Sequence, residues 1–589
     1  MAEYLSPGVY VEEFDSGIKA MEGVGTSTAG FVGMAQKGPV RGLPVLITSM
    51  ADYQRRFGGY LSERDYGDKR FLPYAVEQFF NNGGSTCYVM RVCGEESDDQ
   101  NSPRAAQSGE ELINLKASNP GAWGNSLSAR FTLLTKNRVR VNGPATAGDG
   151  NAIVYELTDT AGYQEGDLVC LQQAEKGSPL CFGLVQGTSG KNITLAWQGE
   201  GAADLKFAGE GDAAVPDVFL YLAEWGLTLR DDTASEQYES ISFNPVRSNY
   251  AENMLEISQL VSGGVNLEKL GGGVMEKLCA SGEEPAFEIA FSGGSDGQIS
   301  TDIDASLYIG KDGAADVRTG LTAFQTISDV SIMAIPGITD KSVQSALVSH
   351  CENMGSRFAI LDMPLQDKEV SDLQEFRENV DSSYAAMYHP WLQCYDSLAK
   401  RNVFLPPSGT MAGIYGRTDN TRGVHKAPAN EIVRSCTGLS VNYNEAEQGK
   451  LNPKGINLIR ALPGQGIRVW GARTCSSDGN WKYVNVRRLF IFIEESIRVN
   501  TNWAVFEPND EMLWSRVEGT IRVFLTTQWR NGALAGSTAD EAFFINIGKS
   551  TMTEDDILNG RLICVIGVAP VRPAEFVIFR ITQKMENTQ

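Results

Sequence analysis

Side chains suited to proton transfer crowd together between residues 401 and 426. There His425 stands close to Asp419, Arg422 and Lys426 in the glycine-rich run FLPPSGTMAGIYGRTDNTRGVHKAPANE. An imidazole near a carboxylate can act as a general base, and the neighbouring cations could hold a phosphate. Such chemistry normally has company, and here it has none. The chain contains no nucleophile elbow, no HExxH, no Walker sequence and no cysteine–histidine set at metal-ligand spacing. Loop charges that lock subunits or neighbouring loops together account for the same residues equally well. Of the other two histidines, His350 falls on an apolar helical stripe, the setting of a satisfied core histidine, and His389 precedes Pro390 at a strand end. GGGVMEK (271–277) lacks the Gly-Lys-Ser/Thr ending and the strand–loop–helix context of a phosphate loop, and is read as a flexible linker. The ten cysteines form no CxxC pair and no disulfide framework, so reduced, mostly buried thiols are expected. The residues therefore predict a protein that is not an enzyme and carries no cofactor or metal. The runner-up from the residues is an α/β enzyme using the 401–426 loop.

The elements that would have to position any site belong to an ordinary soluble chain. Of its 589 residues, 42% are hydrophobic and 21% charged, a balance that supports several domains. No run of eighteen apolar residues exists, so no membrane insertion is expected. The opening MAEYLSPGVYVEE lacks the basic and apolar regions of a signal peptide. The net charge of −22 argues against nucleic acid as a partner. Residues 101–300 hold 26 acidic and 13 basic side chains, so most of the excess lies in the middle of the chain.

The expected fold class is α/β plus β and multidomain: an α/β core built from both ends of the chain, with an inserted outer β-rich region. Residues 1–20 form an N-terminal strand arm, in which Val9, Val11 and Glu13 alternate with Tyr10 and Glu12. Residues 21–105 hold a strand, helices and the buried strand CYVMRV, the N-terminal part of the core. Residues 106–290 are glycine-rich, acidic and made of short alternating runs, with a nested β module at about 140–215 and a helix over 249–261. Residues 291–465 alternate strand and helix, as a parallel sheet with crossover helices does. The 401–470 stretch within them is read as loop-rich. The C-terminal domain, 466–589, opens with two amphipathic helices. Val486, Leu489, Phe490, Ile493 and Ile497 mark the first; Leu513, Val517, Ile521 and Phe524 mark the second, after a break and cap at Pro508, Asn509 and Asp510. It ends in a strand, a short helix and two further strands. In the last, EFVIFRITQ, apolar residues point both ways, as in the interior of a sheet.

Both chain ends thus read as strands without a local partner. Either they fold back on their own domain or they add to a neighbour's sheet edge. The words of the sequence bear on that choice. WGARTCSSDGNWKYVNVRRLFIFIEESI with NWAVFEPND, the opening SPGVYVEE, EGVGTSTAGFVG, KGPV and FFNNGG, and the later DVSIMAIPGITD, RFAILDMP and YAAMYHPWL together resemble contractile-tail sheath proteins. These build the outer cylinder of contractile phage tails and phage-tail-like contractile injection systems. The resemblance covers about 1–95 and 290–589. It implies a structural subunit, made in a bacterial cytoplasm without a signal peptide and assembled in a phage tail or injection-system particle. The subunit would polymerise helically around an inner tube and contract from a metastable extended state, driving the tube through a target envelope. The implied partners are further copies in stacked rings, the inner tube protein, and baseplate and tail-terminator or cap proteins. The implied intersubunit arms are Val9, Tyr10, Val11, Glu12 and Glu13 at one end and Phe576, Val577, Ile578, Phe579 and Ile581 at the other. Sheaths of this type touch the tube through a C-terminal-domain helix, which makes Arg516, Arg522 and Arg530 the candidate tube-facing residues. A static structural tube or capsid protein is the remaining alternative.

Overall fold

The computed structural model describes residues 21–94, 103–109, 113–147, 152–175, 178, 180–197, 205–207, 215–265, 286–299 and 302–578. The segments before and after the outer region both contribute to one eight-stranded sheet. Strands β1 (Ala29–Met34) and β2 (Val45–Ile47), helices α1 (Met50–Phe57) and α2 (Leu72–Asn81), and strand β3 (Cys87–Val92) precede the outer region. After it come β4 (Ile332–Ala334), α3 (Lys341–Met354), β5 (Phe358–Asp362), α4 (Val370–Arg377), β6 (Ala385–His389), α5 (Ser408–Arg422), β7 (Ile456–Leu462) and β8 (Gly466–Val469). The strand order is β2-β3-β1-β4-β5-β6-β7-β8, parallel from β3 to β7, with one antiparallel strand at each edge.

AGFVGM, IMA, FAILD and AAMYH are buried at every position, as continuous apolar runs covered on both faces must be. Phe31, Val89, Ile360 and Tyr388 face α2 and α5; Val32, Met90, Leu361 and Met387 face α3 and α4. The 408–422 stretch is a buried helix, where a loop was expected. The glycines that read as breakers are packing residues instead. A Cβ on Gly409 would come within 2.4 Å of the Ala75 carbonyl oxygen, and one on Gly413 equally near that of Phe79, so α5 and α2 touch backbone to backbone. Asp362, at the end of β5, holds the start of α5 by accepting from the Ser408 amide at 2.8 Å and its hydroxyl at 2.6 Å. Burial pushes its carboxyl up to about 6.

The outer region is built on two long strands, Ser128–Ala147 and Val218–Arg230, paired antiparallel from Ser128↔Arg230 to Val141↔Val218. Their lower halves carry Ser235–Ile241 and Ala286–Ala290 over a core in which Trp225 stacks on Phe182 and Phe243. Their upper halves close a ring with Ala152–Leu157, Asn192–Trp197, Cys181–Ser189 and Leu168–Gln173, a six-stranded barrel filled by Val139, Tyr155, Leu171, Ile193 and Leu220 among others. Over 249–261, only Ala251–Leu255 is helical. The chain then turns and Val261–Val265 pairs with Ile113–Ala117, because Leu260 and Val261 are needed in the core of this region.

Buried ions join the outer region to the core. Lys37 donates to Asp231 at 2.5 Å and to the Thr233 hydroxyl at 2.7 Å. Arg91, 1% exposed, donates to the Ala35 and Pro120 carbonyls and to Asp296 at 2.8 Å.

At the C-terminal end are α6 (Val484–Asn500), α7 (Glu511–Arg530) and a two-stranded sheet of β9 (Phe543–Ile547) and β10 (Cys564–Val568). Asp510 caps α7 by accepting from the Leu513 amide at 2.9 Å. Leu513, Val517, Ile521 and Phe524 are buried, as their spacing predicts. The last expected strand is absent from residues 571–578, which run irregularly with Phe576, Val577 and Ile578 exposed. A strand exists only against a partner, and among the described residues none pairs with it there.

Candidate assembly site

Helix α6 gathers the two ends of the described chain. Its apolar stripe was legible, but a second stripe runs beside it. Asn485, Arg488, Phe492, Ser496 and Asn500 follow at three- and four-residue spacing and so share one side of the helix. Those side chains hold the stretch that leads into β1. Asn500 donates to the Glu22 carbonyl at 2.8 Å, the Ser496 hydroxyl accepts from the Val24 amide at 3.1 Å, and Arg488 donates to the Thr26 carbonyl at 2.8 Å. At the other end of the same stripe Asn485 donates to the carbonyls of His425 and Val571. From Asn485 to Asn500 the helix rises by about 22 Å, which sets the separation of the two roots.

The helix is itself fixed to the core. Arg488 forms a fork on Asp419, with Nη2–Oδ2 at 2.6 Å and Nη1–Oδ1 at 2.9 Å, and the Thr26 hydroxyl donates to the same carboxylate at 2.7 Å. Both ionic side chains are under 5% exposed. Arg487 lies between the Trp481 and Tyr384 rings, 3.5 and 4.5 Å from their centroids, and donates to the Ser383 hydroxyl. Desolvation in that slot lowers its pKa.

The C-terminal segment leaves β10, bridges Leu534 at Pro570, and reaches Glu575. That carboxylate meets Arg473 at 2.6 and 2.8 Å, the Asn452 amide at 2.8 Å, the Tyr483 hydroxyl at 3.2 Å and Lys482 at 3.8 Å. Burial works to raise its pKa, but the donors of Arg473 and Asn452 and the nearby cations outweigh it and hold the carboxyl below its ordinary value. Phe576, Val577 and Ile578, three of the expected arm residues, follow at 73, 68 and 80% exposure. Val9, Tyr10, Val11, Glu12, Glu13, Phe579 and Ile581 lie outside the described residues.

The three candidate tube-facing arginines are not equivalent. Arg516 is half-buried, 4.7 Å over the Trp503 ring; Arg522 pairs with Glu518 one turn back at 2.7 Å; Arg530 is exposed in the last turn. Met512 and Val523 are exposed on the same helix.

The 401–426 stretch is mostly regular structure where a loop was expected. It is a strand, Arg401–Leu405, and helix α5, and Asp419 is committed to Arg488 and Thr26. Burial and Arg422 lower the pKa of His425. His350 accepts from Arg357 at 2.7 Å and His389 meets the Tyr443 hydroxyl at 3.1 Å; burial takes both imidazoles down to about 4. No group of three or more His, Cys, Asp or Glu among the described residues could hold a metal. None of their helices is long and apolar enough to cross a membrane.

Residues 310–475 match the phage tail sheath protein central domain, and residues 476–584 match the phage tail sheath C-terminal domain. The chain belongs to the contractile tail sheath family. It is a structural subunit of such a sheath. A putative prophage major tail sheath protein of Pseudomonas aeruginosa strain UCBPP-PA14 is 26% identical over 47% of this chain and 72% of its own length. The tail sheath protein of Escherichia phage P2 is 25% identical over 45% of this chain and 68% of its own length. Two solved structures share the fold. The PVC sheath complex of an extracellular contractile injection system, in its contracted state, matches with TM-score 0.53 and 21% identity over 99% of both chains. The contracted helical sheath of the anti-feeding prophage matches with TM-score 0.51 and 22% identity over 98% of this chain and 99% of that one.

In this sheath subunit the hydrogen-bonding residues that the sequence reading missed are Asn485, Arg488, Ser496 and Asn500 on α6, and the Glu575–Arg473 pair. The α6 set carried a readable signal, polar residues at helical spacing beside an apolar stripe. The pair, 102 residues apart, carried none.

Proposed function

We propose that the subunit polymerises helically around an inner tube. Its chain ends then thread into neighbouring subunits, so that the lattice shortens and widens without coming apart. The observation that carries this reading is the exposed apolar run Phe576–Val577–Ile578 leaving a firmly held root at Glu575. β9 and β10 pair only with each other among the described residues, which leaves outer edges open to strands from other copies. The Val9 to Glu13 stretch serves as the second arm, and the outer face of α7, with Arg516, Arg522 and Arg530, meets the tube. The role is mechanical: two packings of one sequence separated by a barrier, with the core and outer region moving as bodies. Baseplate and cap proteins close the ends, in a phage tail or an injection-system particle.

Negative-stain microscopy of the purified chain, beside one lacking residues 1–14, tests the reading. Hollow, regularly striated cylinders from the full chain alone are expected, and globular particles from both would refute it. A long and a short form of the cylinder separate a contractile sheath from a static tube. Charge reversal at Arg516, Arg522 and Arg530 is expected to abolish co-assembly with the tube; intact co-assembly would remove α7 from that role.

A further inference from the structure

A chain end can be held by burying apolar side chains or by a directed polar lock. Glu575 is the second kind. Its two carboxylate oxygens are matched by the fork of Arg473, which donates to both: Nε to Oε1 at 2.8 Å and Nη2 to Oε2 at 2.6 Å. Such a pair fixes orientation as well as distance. The fork is aimed in turn. Arg473 Nη1 donates to the Asn452 carbonyl at 3.0 Å, and its own amide donates to Asn457 Oδ1 at 2.6 Å. Asn452, ahead of β7, and Lys482 and Tyr483, the last residues before α6, close around the carboxylate. Arg473 is 7% exposed at the side chain and Glu575 19%. Immediately beyond this lock stand three apolar side chains in water, which the free subunit has no use for.

We infer that Glu575 is a positioning residue for assembly. It sets the point and the heading at which Phe576, Val577 and Ile578 leave one subunit to meet a second copy of the chain. The inference rests on the sheath reading above. The lock does not touch the second copy; it spares the arm a search over directions, so that the ordering cost of docking falls before contact is made. Its loss raises the concentration at which the chain polymerises while the fold of the subunit stays as it was.

The test uses the full chain with Glu575→Gln, which keeps the shape and removes the charge, and the exchanged pair Glu575→Arg with Arg473→Glu. Two quantities are followed: the unfolding midpoint of the subunit, and the threshold concentration for cylinders by pelleting and microscopy. Glu575→Gln should leave the midpoint where it is and raise the threshold about tenfold, the size expected for losing charge-assisted hydrogen bonds. The exchanged pair should recover part of that rise. Polymerisation of Glu575→Gln at the wild-type threshold overturns the inference. So does a midpoint that falls in step with the threshold, since the lock would then be part of the fold alone. A wild-type chain that forms no cylinders overturns the sheath reading, and the inference with it.

Discussion

The outer barrel and the C-terminal unit are both made of antiparallel strands, and they treat their edges in opposite ways. In the barrel every strand of the ring has two neighbours, and Val139, Tyr155, Leu171, Ile193 and Leu220 fill the inside. Closure removes the free backbone edge and with it the means of joining another chain. Among the described residues the C-terminal sheet has two strands; it shows Phe544 and Val565 to solvent and stands beside a segment that runs past the Glu575 lock into exposed apolar residues. Local energetics do not force that difference, since both units bury a well-packed apolar core. In the assembly proposed above, it separates the end of the subunit that is open for polymerisation from the one sealed against it.

The contrast can be broken most severely by removing 576–589. The subunit should then unfold at its wild-type midpoint and form no cylinders at any concentration in a pelleting assay. Retained polymerisation would mean that the open edges are not where copies join. Arg488→Ala should come next. It leaves Asp419 buried without its cation, which costs about 3–5 kcal/mol, and it should also free the 21–26 stretch. Denaturant unfolding gives the first quantity, and amide exchange at Val24 and Thr26 the second. Leu220→Ala in the barrel should cost about 2–5 kcal/mol in the same experiment. Polymerisation should proceed at the wild-type threshold, and a shifted threshold would show that the barrel takes part in joining copies. The mildest perturbation is acid. The Glu575 carboxyl is held below its ordinary 4.5, so its contribution is fully present above that value and is lost as pH falls through the folded-state value beneath it. The protection of the amides over 571–575, taken relative to their intrinsic exchange rate at each pH, should be flat from neutral pH down to about 4.5 and fall only below it.

Local pattern carried much of the fold. The buried runs CYVMRV, RFAILDMP and YAAMYH, the stripes of α6 and α7 and the cap at Asp510 are each statements about neighbours in sequence, and the structure shows them as strands, helices and a cap. Glycines misled where one residue type has two uses. Gly409 and Gly413 look like chain breakers, yet at four-residue spacing they let α5 lie against α2. The last strand misled for a different reason. EFVIFRITQ has the composition of a buried strand, but composition does not say whose sheet it enters, and over 571–578 no other described strand pairs with it. Closure of the barrel rests on Val218–Arg230 pairing with two partners at once, and the Glu575 lock joins groups over a hundred residues apart. Neither leaves a periodic trace.

The two long strands that carry the barrel leave the lower sheet side by side, with Val139 directly across from Leu220 in the ladder. Antiparallel neighbours lie about 5 Å apart, so everything between these two positions enters and exits the subunit through a single narrow gate. A module attached in this manner can be exchanged once the Phe182 ring, which the lower core takes from the barrel to stack on Trp225, is replaced. Any domain whose own ends lie that close together could be grafted at this gate. The sheath exterior could then diversify, or be made to display foreign proteins in helical array, while the surfaces that polymerise stay untouched.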